Sequence, residues 1–427
     1  MNSMNILLVS LGCDKNLCDS EAMLGILQKN NYNITNDEAL ADVVVINTCS
    51  FIHDAMEESI NTILEMARLK KKRLKYLIVT GCLAQRFKDE IFDEIPEIDA
   101  CLGAASFDHI VDAIRELEHK SRVSMYDDPD RLALTDVPKF CTYCVIPHIR
   151  GHYRSVPMEK LVKEADYMAS MGIRELVLVA QETTCYGTDI YGKKSLAELV
   201  RRLAGIEGIE WIRLMYCYPE EIDSELIELF ATEKKLCKYI DMPLQHCEDN
   251  ILSRMGRKTD KKSIMGVIGA LRKNCPDIAI RTTFITGFPG ETEENHDALL
   301  RFIDEVEFDR LGVFTYSRED GTPAADFPNQ VDGKLAEKWR NEIMELQQDI
   351  SLEKNSRLIG TVQKVIIEGY SPDEDIYIGR TYRDAPNVDG LVFVECDYEL
   401  ISGTIVDVLI KDAGPYDLIG GITDELT

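Results

Sequence analysis

Each of the first three short apolar runs in this chain stops within three residues of a cysteine: Asn5 to Ser10 before Cys13, Asp42 to Asn47 before Cys49, and Tyr76 to Thr80 before Cys82. Between the runs lie stretches of helical period, Ser20 to Lys29 and Ala55 to Leu69. Apolar runs too short for helices, alternating with amphipathic helices, predict parallel strands in an open α/β sheet. Loops that follow parallel strands open on one edge of the sheet, where ligand sites form. Three thiols converging there can hold three irons of a cubane cluster and leave the fourth iron open. The competing reading is three unrelated cysteines packed at strand ends.

Ala100 to Leu102 and a helix near Phe107 to Leu117 extend this series, and the polar stretch Glu118 to Asp130 reads as a linker. A second α/β series runs from Cys141 to Thr322, with strands over Glu175 to Ala180, Trp211 to Tyr216, Tyr239 to Asp241, Ile278 to Ile285 and Leu311 to Tyr316. Five or six such units predict a barrel or part of one, with function at the carboxyl ends of its strands. Lys334 to Arg357 is a charged amphipathic helix. After Gly360 only short strands and turns remain, over Thr361 to Glu368, Tyr377 to Arg380, Val392 to Glu395 and Gly403 to Ile410, predicting a small all-β barrel. The expected fold class is therefore α/β: an N-terminal open parallel sheet domain (1–122), a linker (123–140), a central partial (β/α) barrel (141–335), a connecting helix (336–357) and a C-terminal β barrel (358–424).

A length of 427 residues exceeds what one core organises. No apolar run is long enough to span a bilayer and no secretory signal is evident, so a cytoplasmic protein is expected. There its thirteen cysteines stay reduced, as packing residues, metal ligands or catalytic groups. The net charge of −27 argues against a broad nucleic-acid surface and suits a basic partner.

Cys141-Thr142-Tyr143-Cys144 is open to three readings: half of a zinc site, a redox dithiol, or two ligands of an iron–sulfur cluster. Zinc requires a second ligand pair at comparable spacing. A redox dithiol should open a helix, whereas Val145-Ile146-Pro147 reads as extended or irregular.

Phe140 to Gly151 (FCTYCVIPHIRG) resembles the cluster loop of the radical S-adenosylmethionine methylthiotransferases. Ser10 to Asn16 (SLGCDKN), Asn47-Thr48-Cys49 and Gly81 to Arg86 (GCLAQR) resemble the three cysteine motifs of that family's first domain, and the tail resembles its TRAM domain. The resemblance implies two [4Fe–4S] clusters, one on Cys13, Cys49 and Cys82 and one on Cys141, Cys144 and a third cysteine. It also implies S-adenosylmethionine as cofactor, lying against Phe284 to Glu291 with Ile285, Gly287 and Gly290, and Gln181 and Gln245 at the barrel mouth. Arg213 is a further candidate contact, although its place within a strand equally suits a structural salt bridge. His246 reads as a proton carrier or, more conservatively, a structural histidine.

Within the family, Leu11 to Asn16, Gly379-Arg380-Thr381, Asp384-Ala385-Pro386 and Asp389-Gly390 resemble the type that modifies an aspartate of small-subunit ribosomal protein S-twelve rather than the type that modifies tRNA adenosine. From Gly360 onward 14 Asp and Glu face 4 Lys and Arg, which suits a basic ribosomal protein better than RNA. Nucleic acid would then be met only as part of the ribosome, and a membrane not at all. The electron donor and sulfur source have no signature in the chain. One position departs from the family: Cys-x3-Cys-x2-Cys places its first cysteine at Val137. Either about a dozen residues between Thr135 and Lys139, including a barrel strand, are absent relative to the family, or the chain is a non-catalytic ribosome-associated relative with a degenerate cluster site.

Overall fold

The structure, a computed structural model, describes residues 4–130 and 141–423. It divides into two compact units, Met1–Arg154 with Ser317–Asp326, and Ser155–Tyr316 with Phe327–Thr427.

The first unit is built on a six-stranded sheet: β1 (Asn5–Ser10), β2 (Asn33–Ile34), β3 (Val43–Thr48), β4 (Tyr76–Gly81), β5 (Ala100–Gly103) and β6 (Val123–Met125). Its order is β2-β1-β3-β4-β5-β6 and every pairing is parallel. Alternation along the central strands splits the core in two. Val44, Ile46, Leu77 and Val79 pack on one face, and Val43, Val45, Ile6 and Ile78 on the other. This is why β3 is apolar without a polar phase: both of its faces are covered. The stretch expected to be a linker contains β6, which pairs with β5 through Val123, Ser124 and Met125. Three residues with a serine in the middle carry too little pattern to announce a strand.

The second unit holds a parallel sheet in the order β11-β10-β9-β8-β7, formed by β7 (Glu175–Leu178), β8 (Trp211–Leu214), β9 (Leu236–Asp241), β10 (Ala279–Thr286) and β11 (Arg310–Thr315). One face packs Ile212, Leu214, Ile240 and Phe284 against the helices. On the other face Trp211, Tyr239 and Ala279 meet Ile366 and Ala385 of the C-terminal domain. β8 is buried throughout, whereas β7, at the edge, leaves Val177 and Leu178 partly exposed. Val137, and the stretch between Thr135 and Lys139 where a barrel strand is expected to be missing, lie outside the described residues.

Helix Gly333–Ser356 connects to the tail, its first turn capped by Asp332, which accepts from the amides of Lys334 and Leu335. The tail is a closed barrel, β12-β13-β14-β16-β15, of β12 (Val362–Ser371), β13 (Ile376–Thr381), β14 (Val392–Glu395), β15 (Ile405–Ala413) and β16 (Leu418–Ile422). Sequence reading missed β16 because its glycines mimic a turn. At Gly420 a Cβ would stand 2.5 Å from Val408 and 2.6 Å from the Leu409 carbonyl, so the barrel closes only over a bare backbone.

Candidate metal centre

β1, β3 and β4 are neighbours in the first sheet, and their carboxyl ends lie level, with Ser10 opposite Asn47 and Thr48 opposite Gly81. Cys13, Cys49 and Cys82 follow those ends. Asn16, fully buried on helix Asp14–Lys29, ties the three loops together. Its amide nitrogen donates to the carbonyls of Leu11 (2.7 Å) and Thr48 (3.0 Å), and its amide oxygen lies 3.9 Å from the Cys82 sulfur. The Asn47 amide donates in turn to the Asn16 carbonyl (2.8 Å). Ser59 accepts from the Cys49 amide and donates to its carbonyl, pinning the second loop. Gly12 is required by space as well as by its φ of 87°: a Cβ there would stand 2.8 Å from the Cys49 sulfur.

Cys49 and Cys82 are buried, while Cys13 is exposed. Burial, together with neighbouring Cys82 and Cys13, pushes the Cys49 thiol up to about 11. Burial also raises Cys82, against the opposing influence of Arg150. A metal taken up here must displace those protons. The donor set is soft sulfur throughout. A single tetrahedral ion bound at about 2.3 Å would hold its sulfurs only about 3.8 Å apart. Among the described residues, the trio with donor atoms all within 4.8 Å is Asp108, His109 and Asp127, on the surface, and not these three thiols. Three thiols at wider spacing around one sheet edge fit an iron–sulfur cluster better than one ion.

The second cysteine pair belongs to the same unit. Cys144 donates its amide to the Cys141 carbonyl (3.1 Å), and Thr142 accepts from Ala324 (2.9 Å). The short helix Ile146–Arg150 follows, so the extended course expected after Cys144 gives way to a helical turn. Its Val145 and Ile149 neighbours pack on Cys82 and Ala104. Burial, then Cys141, pushes the Cys144 thiol up to about 12. Arg150 donates to Asp19 (2.7 Å) and Asn16. Arg86 donates to the Ser50 carbonyl (3.2 Å) and to Glu319 (2.8 Å), tying segment Ser317–Asp326 to the loop after Cys49. His148 and His152 stand four apart after Cys144 and have zinc-like spacing, but the helix ends between them and His152 Nδ1 is engaged by Asp130 at 2.7 Å.

In the second unit, Gln181 follows β7 and Gln245 follows β9. Gln245 adopts φ 73° and bridges to Phe284, and its carbonyl accepts from the Ile285 amide (2.9 Å). Gly287 and Gly290 have φ of 75° and 88°, and the atoms nearest a Cβ built there belong to Ala336 and the Arg254 guanidinium. Glu291 accepts from the Phe288 amide (3.0 Å) and faces His246 Nε2 at 3.5 Å, both side chains being fully buried. His246 Nδ1 accepts from the Glu248 amide (3.0 Å). Arg213 requires correction. Its guanidinium donates to Glu175 (2.8 Å) and to the Tyr382 carbonyl (2.7 Å), and lies over the Tyr239 ring, so it is a structural ion pair and not a cofactor contact.

The remaining thiols Cys101, Cys185, Cys217, Cys237, Cys247 and Cys275 are buried, whereas Cys18 is exposed and Cys396 partly so. The anchoring roles of Asn16, Arg150 and Arg86 were not legible beforehand. Their partners lie up to 233 positions away, and no spacing rule connects them.

The sequence pattern of uncharacterized protein family UPF0004 matches residues 5–103, that of the Radical SAM superfamily 138–303, and that of the TRAM domain 359–422. The likeness to the radical S-adenosylmethionine methyltransferase TsrM from Kitasatospora setae has a TM-score of 0.53 at 14% identity, over 85% of this chain and 80% of that one, and concerns the fold. Proteins named ribosomal protein uS12 methylthiotransferase RimO are far nearer in sequence. The one from Lachnoclostridium phytofermentans is 52% identical over 98% of this chain and 99% of its own length. That from Acetivibrio thermocellus is 48% identical over 98% of each chain. The Clostridium botulinum relative is 44% identical over the whole of both chains; its alignment runs to 447 positions against 427 residues here, so about 20 of its positions have no counterpart. The three domains in this order, and identity of this level over the full length, decide the matter: the chain belongs to the RimO family of ribosomal protein uS12 methylthiotransferases.

Proposed function

We propose that the chain methylthiolates the β-carbon of an aspartate in ribosomal protein uS12. It would hold one [4Fe–4S] cluster on Cys13, Cys49 and Cys82, and a second, with S-adenosylmethionine, on Cys141, Cys144 and a third ligand. The observation that carries this reading is the convergence of three soft donors on one sheet edge, clasped by Asn16. The chemistry these groups supply when bound is hydrogen-atom abstraction and sulfur transfer at a carbon with no acidic proton and no leaving group.

The chain's own contribution is placement. Asn16 and Ser59 fix the three loops, while Arg150 and the Ala324 amide hold the Cys141–Cys144 loop within the same unit. Gln181, Gln245, Ile285 and the Gly287–Gly290 turn, at carboxyl ends of the second sheet, are the proposed contacts to S-adenosylmethionine. The acidic C-terminal barrel is the proposed dock for uS12, a cytoplasmic encounter. No helix among the described residues is long and apolar enough to cross a membrane.

Because Val137 stands where the family has a cysteine, a binding protein that has lost the radical site is the outcome the test must exclude. Anaerobic reconstitution followed by mass analysis of uS12 and tRNA separates the two. The enzyme takes up iron, about eight atoms per chain when both sites load, and adds mass to uS12. A non-catalytic relative takes up about four irons, loses them in Cys49→Ala, and leaves uS12 unchanged. Zinc without iron, or a mass gain on tRNA alone, overturns the proposal.

A further inference from the structure

Arg150 is an expensive residue to bury. Its side chain is 7% exposed, and taking a guanidinium out of water costs several kcal/mol even after relaxation. A surface pairing with Asp19 would satisfy it at far lower cost. Instead it lies inside the pocket of the three cysteines. It donates to Asp19 (2.7 Å) and to the same Asn16 oxygen that the Cys82 thiol approaches at 3.9 Å. Lys15, half-buried, adds a second basic group beside it, and Asp19 is the carboxylate that answers the pair. Arg150 stands six residues after Cys144, on the helix whose Val145 and Ile149 neighbours pack against Cys82. The helix that follows Cys144 thus delivers a permanent positive charge to the Cys13/Cys49/Cys82 centre.

We propose that Arg150 is a positioning residue that sets the reduction potential of a cluster held by Cys13, Cys49 and Cys82. The inference rests on the reading that these thiols hold such a cluster. Three thiolates leave a cubane negatively charged, and an added electron makes it more so. A guanidinium cannot shed its proton in a protein, so its charge is constant across working pH. In a buried pocket the interaction is weakly screened. It favours the reduced form and moves the potential positive, as charge and hydrogen bonds around cluster sulfurs do generally. Because Arg150 lies on the helix after Cys144, the tuning depends on that helix staying packed against Cys82.

The test uses the full-length chain carrying Cys141→Ala and Cys144→Ala, so that a single cluster site remains, reconstituted anaerobically and titrated with dithionite while the reduced cluster is followed by electron paramagnetic resonance. Arg150→Gln is expected to shift the midpoint potential negative, and Arg150→Lys to keep most of the parent value. Asp19→Asn, which removes the counter-charge, is expected to shift it positive. Opposite signs for Arg150→Gln and Asp19→Asn are the signature, since a purely structural role lowers iron content and thermal stability in both and leaves the potential of the loaded fraction where it was. Unmoved potentials, or shifts of the same sign, overturn the assignment. If Arg150→Gln does not fold, the Lys and Asn variants still decide it. A parent chain that takes up no iron fails the underlying cluster reading instead, and is recognised by metal analysis before any titration.

Discussion

Asn16 holds three loops with one side chain, and no neighbouring group replaces its geometry. Two carbonyls, from Leu11 and Thr48, share its nitrogen, and its oxygen serves Arg150 and the Cys82 thiol. Asn16→Ala strands buried partners, which costs about 1–3 kcal/mol for each group left unsatisfied. The expected outcome is a lower melting temperature together with loss of the iron bound by Cys13, Cys49 and Cys82, checked by calorimetry and metal analysis. A variant that keeps its full iron content removes Asn16 from this role. At this scale the sequence was half legible. Position after a strand identified Cys13, Cys49 and Cys82, because parallel topology sends all such loops to one edge. Asn16 lay in plain view within the first motif, but its partners come from chain segments 5 and 32 positions away and only the fold joins them. Arg213 was misassigned for a related reason: a buried arginine in a strand reads alike whether it meets a ligand or a glutamate.

Elements in this chain announced themselves in proportion to their apolar pattern. β3 and β4 are continuous buried runs and were plain. β6, with three residues, and β16, with two glycines, have almost no pattern and were missed. The C-terminal barrel motifs illustrate a subtler point. Gly379-Arg380-Thr381, Asp384-Ala385-Pro386 and Asp389-Gly390 mark a subfamily, yet their charges face the second sheet. Arg380 meets Glu175 (2.6 Å), Asp384 meets Arg310 (2.5 Å), and Asp389 accepts from Tyr239 (2.7 Å). Glu175 is shared by Arg213 and Arg380. Burial pushes its carboxyl upward, but the two guanidinium groups outweigh burial and hold it below its ordinary value of 4.5. A depressed carboxyl contributes stability above the unfolded-state value and loses it as pH falls toward the folded one. Glu175→Gln leaves both arginines short of a charge, at about 3–5 kcal/mol for breaking a buried pair. Urea unfolding at neutral pH should show that loss. The same titration repeated below pH 4.5 should show a smaller difference between variant and parent.

On the scale of the whole molecule, charge is distributed by purpose. Arg380 and Arg383 are spent on buried pairs, and the remaining basic residues of the barrel, Lys364 and Lys411, are paired with Asp407 and Glu395. Asp373, Glu374, Asp375, Asp397 and Glu399 stand exposed. A basic partner docking there is attracted over about 10 Å at 0.1 M salt and about 3 Å at 1 M. Binding of uS12, measured by fluorescence anisotropy, should therefore weaken with salt, and Asp373→Lys with Glu374→Lys should weaken it further while leaving the melting temperature in place. Affinity indifferent to both changes would place the dock elsewhere. The segment Ser317–Asp326 bears on heredity. It returns from the second sheet to complete the first unit, so the chain passes between units three times. A gene cut after Arg154 does not release a self-sufficient module, because Arg86 loses Glu319 and Thr142 loses Ala324. The cysteine pocket and the second sheet, which hands back the segment that completes the first unit, can only be exchanged between relatives, or lost, together.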